Sequence, residues 1–138
     1  MWEVPSIVGR VLSMYACDLY FKLMRGFSVL YYLAYFFGGA FLANGIPHLA
    51  NGMSGRAFPT PFATPRGQGE SSASLNVLWG AFNLVMGYGL VFQIGDFNVL
   101  SALHMGIAGL GGLLLALFLA RRFGPLYGGA KSPSQEQR

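Results

Sequence analysis

The sequence predicts an all-α integral membrane protein, a four-helix transmembrane bundle, from its composition and from its long apolar stretches. Of the 138 residues, 54% are hydrophobic and 10% are charged, whereas soluble domains carry about a quarter charged residues. A chain of this length cannot bury so much apolar surface in one aqueous core, so lipid is the expected solvent. Strands are disfavoured because isolated strands leave backbone groups unsatisfied in lipid.

The N-terminal stretch, residues 5–23, is the least regular of the four predicted spans. Its apolar runs are interrupted by charged residues such as Arg10 and Asp18. Counting it as a span gives four helices with both termini on one side of the membrane. The alternative is three spans plus an interfacial N-terminal helix. Met24 lies just before the next span, so the sequence leaves open whether Met1 or Met24 is the initiator.

The other three predicted spans are residues 27–43, 75–92 and 99–120, since roughly 17–25 apolar helical residues cross a bilayer core. An alternative end for the first of them is residue 50. In the second of them, small and amide side chains recur at helical spacing and form one stripe. Small residues let another backbone approach, and a buried Asn can hydrogen-bond between helices. The stripe therefore indicates helix packing, and the alternative is the polar lining of a ligand cavity. It consists of Asn76, Gly80, Asn83 and Gly87.

The neighbouring spans carry small residues four positions apart, which is the pattern of close contact between membrane helices. We expect these residues to serve bundle assembly or self-association. They are Ala34 with Gly38 and Gly39 with Ala43 in the first of the three spans, and Ala108, Gly112 and Ala116 in the last.

Residues 44–74 are predicted to be a loop, because Gly, Pro, Asn and Ser are dense there and these residues favour turns. Pro59 and Pro61 favour extended backbone at the residues before them. A disordered linker would not usually carry Phe58 and Phe62. We therefore expect the loop to fold back against the mouth of the bundle.

Basic residues predict the orientation, because cytoplasmic loops are enriched in Lys and Arg. Most of them lie after the span 27–43 or at the end of the span 99–120, and few lie before residue 27. The loop, the end of the bundle that it covers and the C-terminus are then predicted to be cytoplasmic. The chain is predicted to be a multi-pass protein of the cell inner membrane. The bundle is predicted as one domain over residues 1–126, and residues 127–138 as a disordered tail. The basic residues on the cytoplasmic side are Arg56, Arg66, Arg121, Arg122, Lys131 and Arg138.

A group of polar residues at the cytoplasmic mouth forms the candidate ligand site. It comprises Asn44, His48, Arg56 and Asn76, and Asn83 extends it towards mid-membrane. Such a group could hold an anionic head group or a carbonyl, with Arg56 or the neighbouring Arg66 as the cation and His48 as acid or base. The same residues could instead cap helices and tie the loop down.

His104 lies within the last span, near the end opposite the mouth. At 1.5 Å of rise per residue it is roughly 20 Å from His48, so the two histidines cannot ligate one centre. No cluster of ligands has metal-binding spacing, and we expect neither a metal nor another cofactor. His104 is either a neutral, hydrogen-bonded histidine or a proton-handling residue that faces a cavity.

The sequence lacks a nucleophile elbow, a phosphate-binding loop, a zinc-protease motif and paired carboxylates. The formal charge of +4 is spread over loops and ends, which argues against a nucleic-acid partner. We therefore expect a non-enzymatic accessory subunit in the lipid bilayer, self-associating as a homo-oligomer or part of a larger membrane complex. The alternative is a membrane enzyme or carrier that binds a lipid, a quinone or another small lipophilic ligand at the cytoplasmic mouth.

The segments 45–48 (GIPH), 54–56 (SGR), 60–62 (TPF) and 76–80 (NVLWG) resemble uncharacterised small bacterial integral membrane proteins. Over residues 27–122 the helix count and glycine placement are loosely similar to the DoxX-like group of four-helix membrane proteins. The resemblance implies a four-helix bundle in a bacterial inner membrane. Some members of that group are linked to redox or quinone-associated processes, but the resemblance assigns no catalytic residue here.

Overall fold

The computed structural model describes residues 7–65 and 69–127, and these residues form helices and connecting turns. The helices are α1 (Ile7–Met53), α2 (Ala73–Phe92) and α3 (Ala102–Phe123). Within the described ranges the extended pairing is limited to a single bridge between Phe58 and Ser71 in the α1–α2 connection. The prediction of an all-α fold is therefore confirmed for the described part of the chain.

Helix α1 is one continuous helix of 47 residues, which corrects two predicted boundaries. The chain does not turn between the N-terminal stretch and the span that was predicted to begin at residue 27. The loop predicted from residue 44 begins only at Ser54, so residues 44–53, including His48 and Pro47, are helical. The physical reason is that glycine and proline, which break helices in water, are tolerated in membrane helices when neighbouring helices pack against them.

Three helical segments are long and apolar enough to cross a membrane: Ser28–Met53, Ala73–Phe92 and Ala102–Phe123. Helix α1 is about 70 Å long at 1.5 Å per residue, more than twice the roughly 30 Å of a bilayer core. Its first part, residues 7–27, therefore extends beyond the segment that packs with α2 and α3. We call this part the arm; its side chains from residue 11 to residue 19 are all exposed.

Helix α2 packs on α1 through the stripe that the sequence predicted. All four residues of the stripe are buried, together with Val91. A Cβ atom added at Gly87 would lie 2.6 Å from Leu42 Cγ, and one added at Gly80 would lie 2.9 Å from the backbone nitrogen of Leu49. The prediction that the stripe mediates helix packing is confirmed.

Helix α3 packs on a neighbouring face of α1, since the adjacent residues Gly38 and Gly39 contact α2 and α3 respectively, and at α3 the backbones approach most closely. A Cβ atom at Gly39 would lie 1.9 Å from the carbonyl oxygen of Ala108, and one at Gly111 would lie 1.9 Å from the carbonyl oxygen of Phe36. Gly111 is the buried residue of α3. Two residues of the predicted ridge take part in this contact: Ala108 meets Gly39, and a Cβ atom at Gly112 would lie 3.2 Å from the carbonyl oxygen of Gly39. Ala116 is exposed.

The connection between α1 and α2 lies against the end of the bundle. Phe58 and Ser71 exchange two backbone hydrogen bonds, of 3.3 and 3.0 Å, and the Phe58 side chain is buried. The Ser72 side chain caps α2 by accepting a hydrogen bond from the Leu75 amide. Arg66 and the predicted tail from residue 128 onwards lie outside the described residues.

Candidate functional site

Asn76, in the first turn of α2, joins the α1–α2 connection to α1. Its side chain is fully buried. The amide nitrogen Nδ2 lies 2.9 Å from the carbonyl oxygen of Phe58 and 3.0 Å from those of Ser71 and Ser72. Its oxygen Oδ1 lies 2.8 Å from Nδ1 of His48. One amide therefore holds both ends of the connection and orients a histidine on α1.

The hydrogen bonds of Asn76 determine the tautomer of His48. Because Nδ2 of Asn76 faces three carbonyl oxygens, the atom that faces His48 is an acceptor, and Nδ1 of His48 must donate its proton. In the neutral ring the other nitrogen, Nε2, then carries a lone pair. The His48 side chain is only 5% exposed. Nε2 has no hydrogen-bond partner among the described residues, yet it is not a fully enclosed atom.

A cavity of about 490 Å³ opens beside His48, between the α1–α2 connection and the ends of α2 and α3. We call it the mouth cavity. None of its lining residues is acidic. The indole N–H of Trp79, on its wall, is enclosed and has no acceptor in the described part of the chain; an unpaired buried donor costs about 1–3 kcal/mol. The lining residues are Asn44, His48, Pro59, Thr60, Pro61, Trp79, Phe118, Leu119, Arg122 and Phe123.

A second cavity, of about 310 Å³, continues from the mouth cavity towards the middle of the helices and shares three lining residues with it. It exists because α2 and α3 each pack on α1 but hardly on one another. We call the two cavities together the groove. The lining of this inner part is apolar except for two amides, and comprises Phe37, Ala40, Phe41, Asn44, Asn83, Leu115, Phe118 and Leu119.

The two amides of the inner cavity are hydrogen-bonded to each other. Asn44 Nδ2 donates to Asn83 Oδ1 over 2.9 Å, and Asn83 Nδ2 donates to the carbonyl oxygen of Trp79 over 2.7 Å. Asn83 has no exposed surface. This pair joins α1 to α2 in the middle of the bundle, so Asn83 primarily supports the helix contact, while Asn44 also borders both cavities.

The basic residue that lines the mouth cavity is Arg122, whereas Arg56 does not line it. Arg56 lies exposed in the turn after α1, and its backbone amide donates to the carbonyl oxygen of Asn51 over 2.9 Å. Sequence reasoning used Arg122 only as the end of the last span. The signal that could have identified it is its spacing of four residues from Phe118, which places both side chains on one helix face.

His104 lies at the opposite end of the molecule and is the third residue of α3. Its backbone amide donates to Oγ of Ser101, and its Nδ1 accepts a hydrogen bond of 3.1 Å from the Asn98 amide. Its ring packs 5.1 Å from the ring of Tyr35, centroid to centroid. These contacts support the interpretation of a hydrogen-bonded structural histidine. In the ranges that the structure describes, His, Cys, Asp and Glu nowhere form a group of three that could hold a metal.

Tyr127, just after α3, packs against the α1–α2 connection. Its hydroxyl donates a hydrogen bond of 2.6 Å to Oε1 of Glu70, and its ring stacks on that of Phe58 with centroids 5.6 Å apart. Burial, and then the hydrogen bond and charge of Glu70, raise the pKa of Tyr127 to about 12. The hydroxyl therefore stays protonated at physiological pH and keeps Glu70 tied to the end of α3.

The groove thus has a polar mouth, with His48 and Arg122 in its lining, and an apolar interior that runs along α1. This arrangement suits a molecule with one polar end and one apolar end. Compared with known proteins, the chain matches no family model, no curated protein and no solved structure.

Proposed function

We propose that this chain is a three-span membrane protein that binds a small lipophilic ligand in the groove. The observation that supports this most is the buried His48, whose Nε2 is unpaired among the described residues at the wall of a cavity. Protein interiors are usually close-packed, and buried polar groups are usually hydrogen-bonded. An unpaired, reachable nitrogen at the head of an apolar cleft is the arrangement that a ligand would complete.

The proposed orientation places the mouth in the cytoplasm, with the chain in the cell inner membrane. Six Lys and Arg residues follow Met53 in the sequence, whereas three precede Ser28, and cytoplasmic segments are enriched in these residues. Because α1 is continuous, its arm emerges on the opposite side. Three spans then put the two termini on different sides of the membrane, in place of the four-span arrangement with both termini inside.

A substitution that fills the inner cavity tests ligand binding. In Ala40→Phe the new ring would occupy part of this apolar space. We expect native mass spectrometry of the wild-type protein to show one co-purified lipophile per chain. Its occupancy in the variant should fall at least about tenfold, which corresponds to ~1.4 kcal/mol of binding free energy.

The matched control is Ala81→Phe on α2, because Ala81 is exposed and does not line the groove. This variant should keep the lipophile at the wild-type level. Equal occupancy in both variants, or a wild-type protein that retains no lipophile, would count against a ligand in the groove.

The second candidate function is that of a non-enzymatic accessory or self-associating subunit. The observation that favours it is the arm, on which Leu12, Tyr15 and Leu19 are 63%, 70% and 59% exposed. If the arm leaves the bilayer, these side chains face water, and an apolar surface of this kind usually marks an interaction site. A second copy of the chain or a larger membrane complex would cover it.

Cys17 lies exposed on the arm and reports on both proposals about it. We expect a membrane-impermeant maleimide to label Cys17 from the non-cytoplasmic side in intact cells, and an oxidant to cross-link two copies in the membrane. Cys17→Ser is the control for both signals. Labelling from the cytoplasm alone would contradict the orientation, and the absence of cross-linked dimers at any oxidant concentration would contradict self-association through the arm.

A further inference from the structure

We propose that the ligand of the groove is a single-chain lipid alcohol from the bilayer, a molecule whose neutral hydroxyl head donates a hydrogen bond to Nε2 of His48 while its alkyl chain lies along α1. This inference rests on the proposed function and names the chemical class of the ligand. The wall of the groove selects this one occupant by its hydrogen bonding, its charge and its width.

The hydrogen bonding of His48 favours a head that donates. Nδ1 of His48 donates to Oδ1 of Asn76 over 2.8 Å, so Nε2 of the neutral ring can only accept. The His48 side chain is buried in the lining of the mouth cavity, and Nε2 has no hydrogen-bond partner among the described residues. A buried acceptor is costly to leave unpaired. A ligand with an O–H therefore satisfies Nε2, whereas an ether, an ester or a ketone, which can only accept, leaves it unpaired.

The charges around the mouth cavity favour a neutral head. Arg122 is exposed and already has an interaction of its own, so it does not offer an uncompensated charge to a carboxylate or a phosphate. None of the lining residues is acidic, so an ammonium head would find no counter-ion there. Burying an ionised head without a partner costs far more than burying a neutral group that is hydrogen-bonded.

Among neutral donors, a hydroxyl needs the fewest partners. Its single proton goes to Nε2 of His48, whereas a primary amide would bring a second N–H that needs another acceptor. The remainder of such a ligand can then be entirely apolar, as the lining of the inner cavity requires.

The width of the groove favours a single alkyl chain. The inner cavity has a volume of about 310 Å³, at the lower end of the range of about 300–1,000 Å³ that is typical of ligand pockets. Phe37 and Phe41 line it along α1 and Leu115 lines it on α3, whereas His48 lies in the last two turns of α1. A chain whose hydroxyl is bound at His48 would therefore run along α1 towards mid-membrane, and the second chain of a phospholipid would have no place.

Trp79 provides the reporter for the test, because it lines the mouth cavity and is the only tryptophan left in a Trp2→Phe background. The purified Trp2→Phe protein is titrated in detergent with a long-chain alcohol brominated on its chain and with the methyl ether of the same alcohol. Bromine quenches Trp79 when the chain occupies the groove. We expect the alcohol to reach half-maximal quenching at a concentration at least about fivefold below that of the ether, because the ether leaves a buried acceptor unpaired.

A variant at His48 removes the acceptor and keeps the contact with Asn76. In His48→Asn, made in the Trp2→Phe background, the new amide has an N–H near the position of Nδ1 that can donate to Asn76, but no atom at the position of Nε2. We expect the alcohol to lose its advantage in this variant while the ether still quenches. Arg56→Gln is the matched control, because Arg56 does not line the mouth cavity; it should keep the full advantage of the alcohol.

The outcomes separate this inference from the proposed function. Equal quenching by alcohol and ether in the Trp2→Phe protein would overturn the inference alone. Quenching at a lower concentration by the fatty acid of the same chain, or by a phosphatidylglycerol that carries it, would also overturn the inference, since a charged head would then be preferred. Equal quenching of the Trp2→Phe protein and its Ala40→Phe variant by alcohol and ether would overturn the proposed function as well.

Discussion

Replacing Gly111 by alanine is expected to separate α3 from α1 and to cause a large loss of folded protein, matched among single added methyl groups by the same change at Gly39. The new Cβ atom would lie 1.9 Å from the carbonyl oxygen of Phe36 and 2.7 Å from its carbonyl carbon. The clash is with backbone, so no side-chain rotation relieves it. Overpacking of this kind usually costs about 1–3 kcal/mol, and more where the backbone cannot shift.

The matched control is Gly109→Ala, two residues away on the same helix, where an added Cβ atom meets nothing within 4 Å. Both variants are compared by size-exclusion chromatography and by thermal unfolding in detergent. We expect Gly111→Ala to aggregate or to unfold at a clearly lower temperature, and Gly109→Ala to behave as wild type. Equal behaviour of the two variants would mean that α1 and α3 do not make the close contact described.

Replacing Asn76 by alanine is expected to give the second largest effect. It removes the hydrogen bonds that hold the α1–α2 connection and the one that orients His48 at the mouth cavity. The variant leaves Nδ1 of His48 without its acceptor and three carbonyl oxygens without their shared donor. A buried polar group left unpaired costs about 1–3 kcal/mol. We expect a lower unfolding temperature and faster protease cleavage between residues 54 and 72.

Asn98→Ala is the control for this prediction. Asn98 is exposed, and its side chain makes one local hydrogen bond, to the amide of Leu100. Its loss should change stability by less than about 1 kcal/mol, as for exposed hydrogen bonds in general. If the two substitutions lower the unfolding temperature by the same amount, Asn76 does not hold the connection in the way its contacts indicate.

The contact face of α2 could be predicted from the sequence, whereas the end of α1 could not. Asn76, Gly80 and Asn83 share one face at helical spacing, and spacing alone identifies a face that packs. Gly45 and Pro47 belong to the residue types that end helices in water. Here α2 packs so closely that a Cβ atom at Gly45 would lie 2.9 Å from Leu84. Only the position of a neighbouring helix distinguishes a contact glycine from a turn glycine.

The candidate site shows the same division. His48 and Asn76 were assigned to one polar group because both lie at the same predicted end of the bundle. In the structure Nδ1 of His48 lies 2.8 Å from Oδ1 of Asn76. The spacing of Arg122 from Phe118 places both residues on one face of α3, but the direction of that face depends on how α3 is rotated about its own axis, so the spacing alone did not assign Arg122 to the site. Arg56 was assigned to the site by sequence proximity to His48, but the turn after α1 carries it away from the cavity.

The central claim, that the groove holds a lipophilic ligand, is tested most directly by photolabelling in the membrane. A long-chain alcohol with a diazirine on its alkyl chain is activated in membranes that contain the protein, and the labelled residues are identified by mass spectrometry. The account predicts label on Phe41, Leu115 and Phe118, suppressed by an excess of the unlabelled alcohol. Label distributed equally over exposed side chains such as Leu113 and Leu117, and unaffected by competitor, would contradict it.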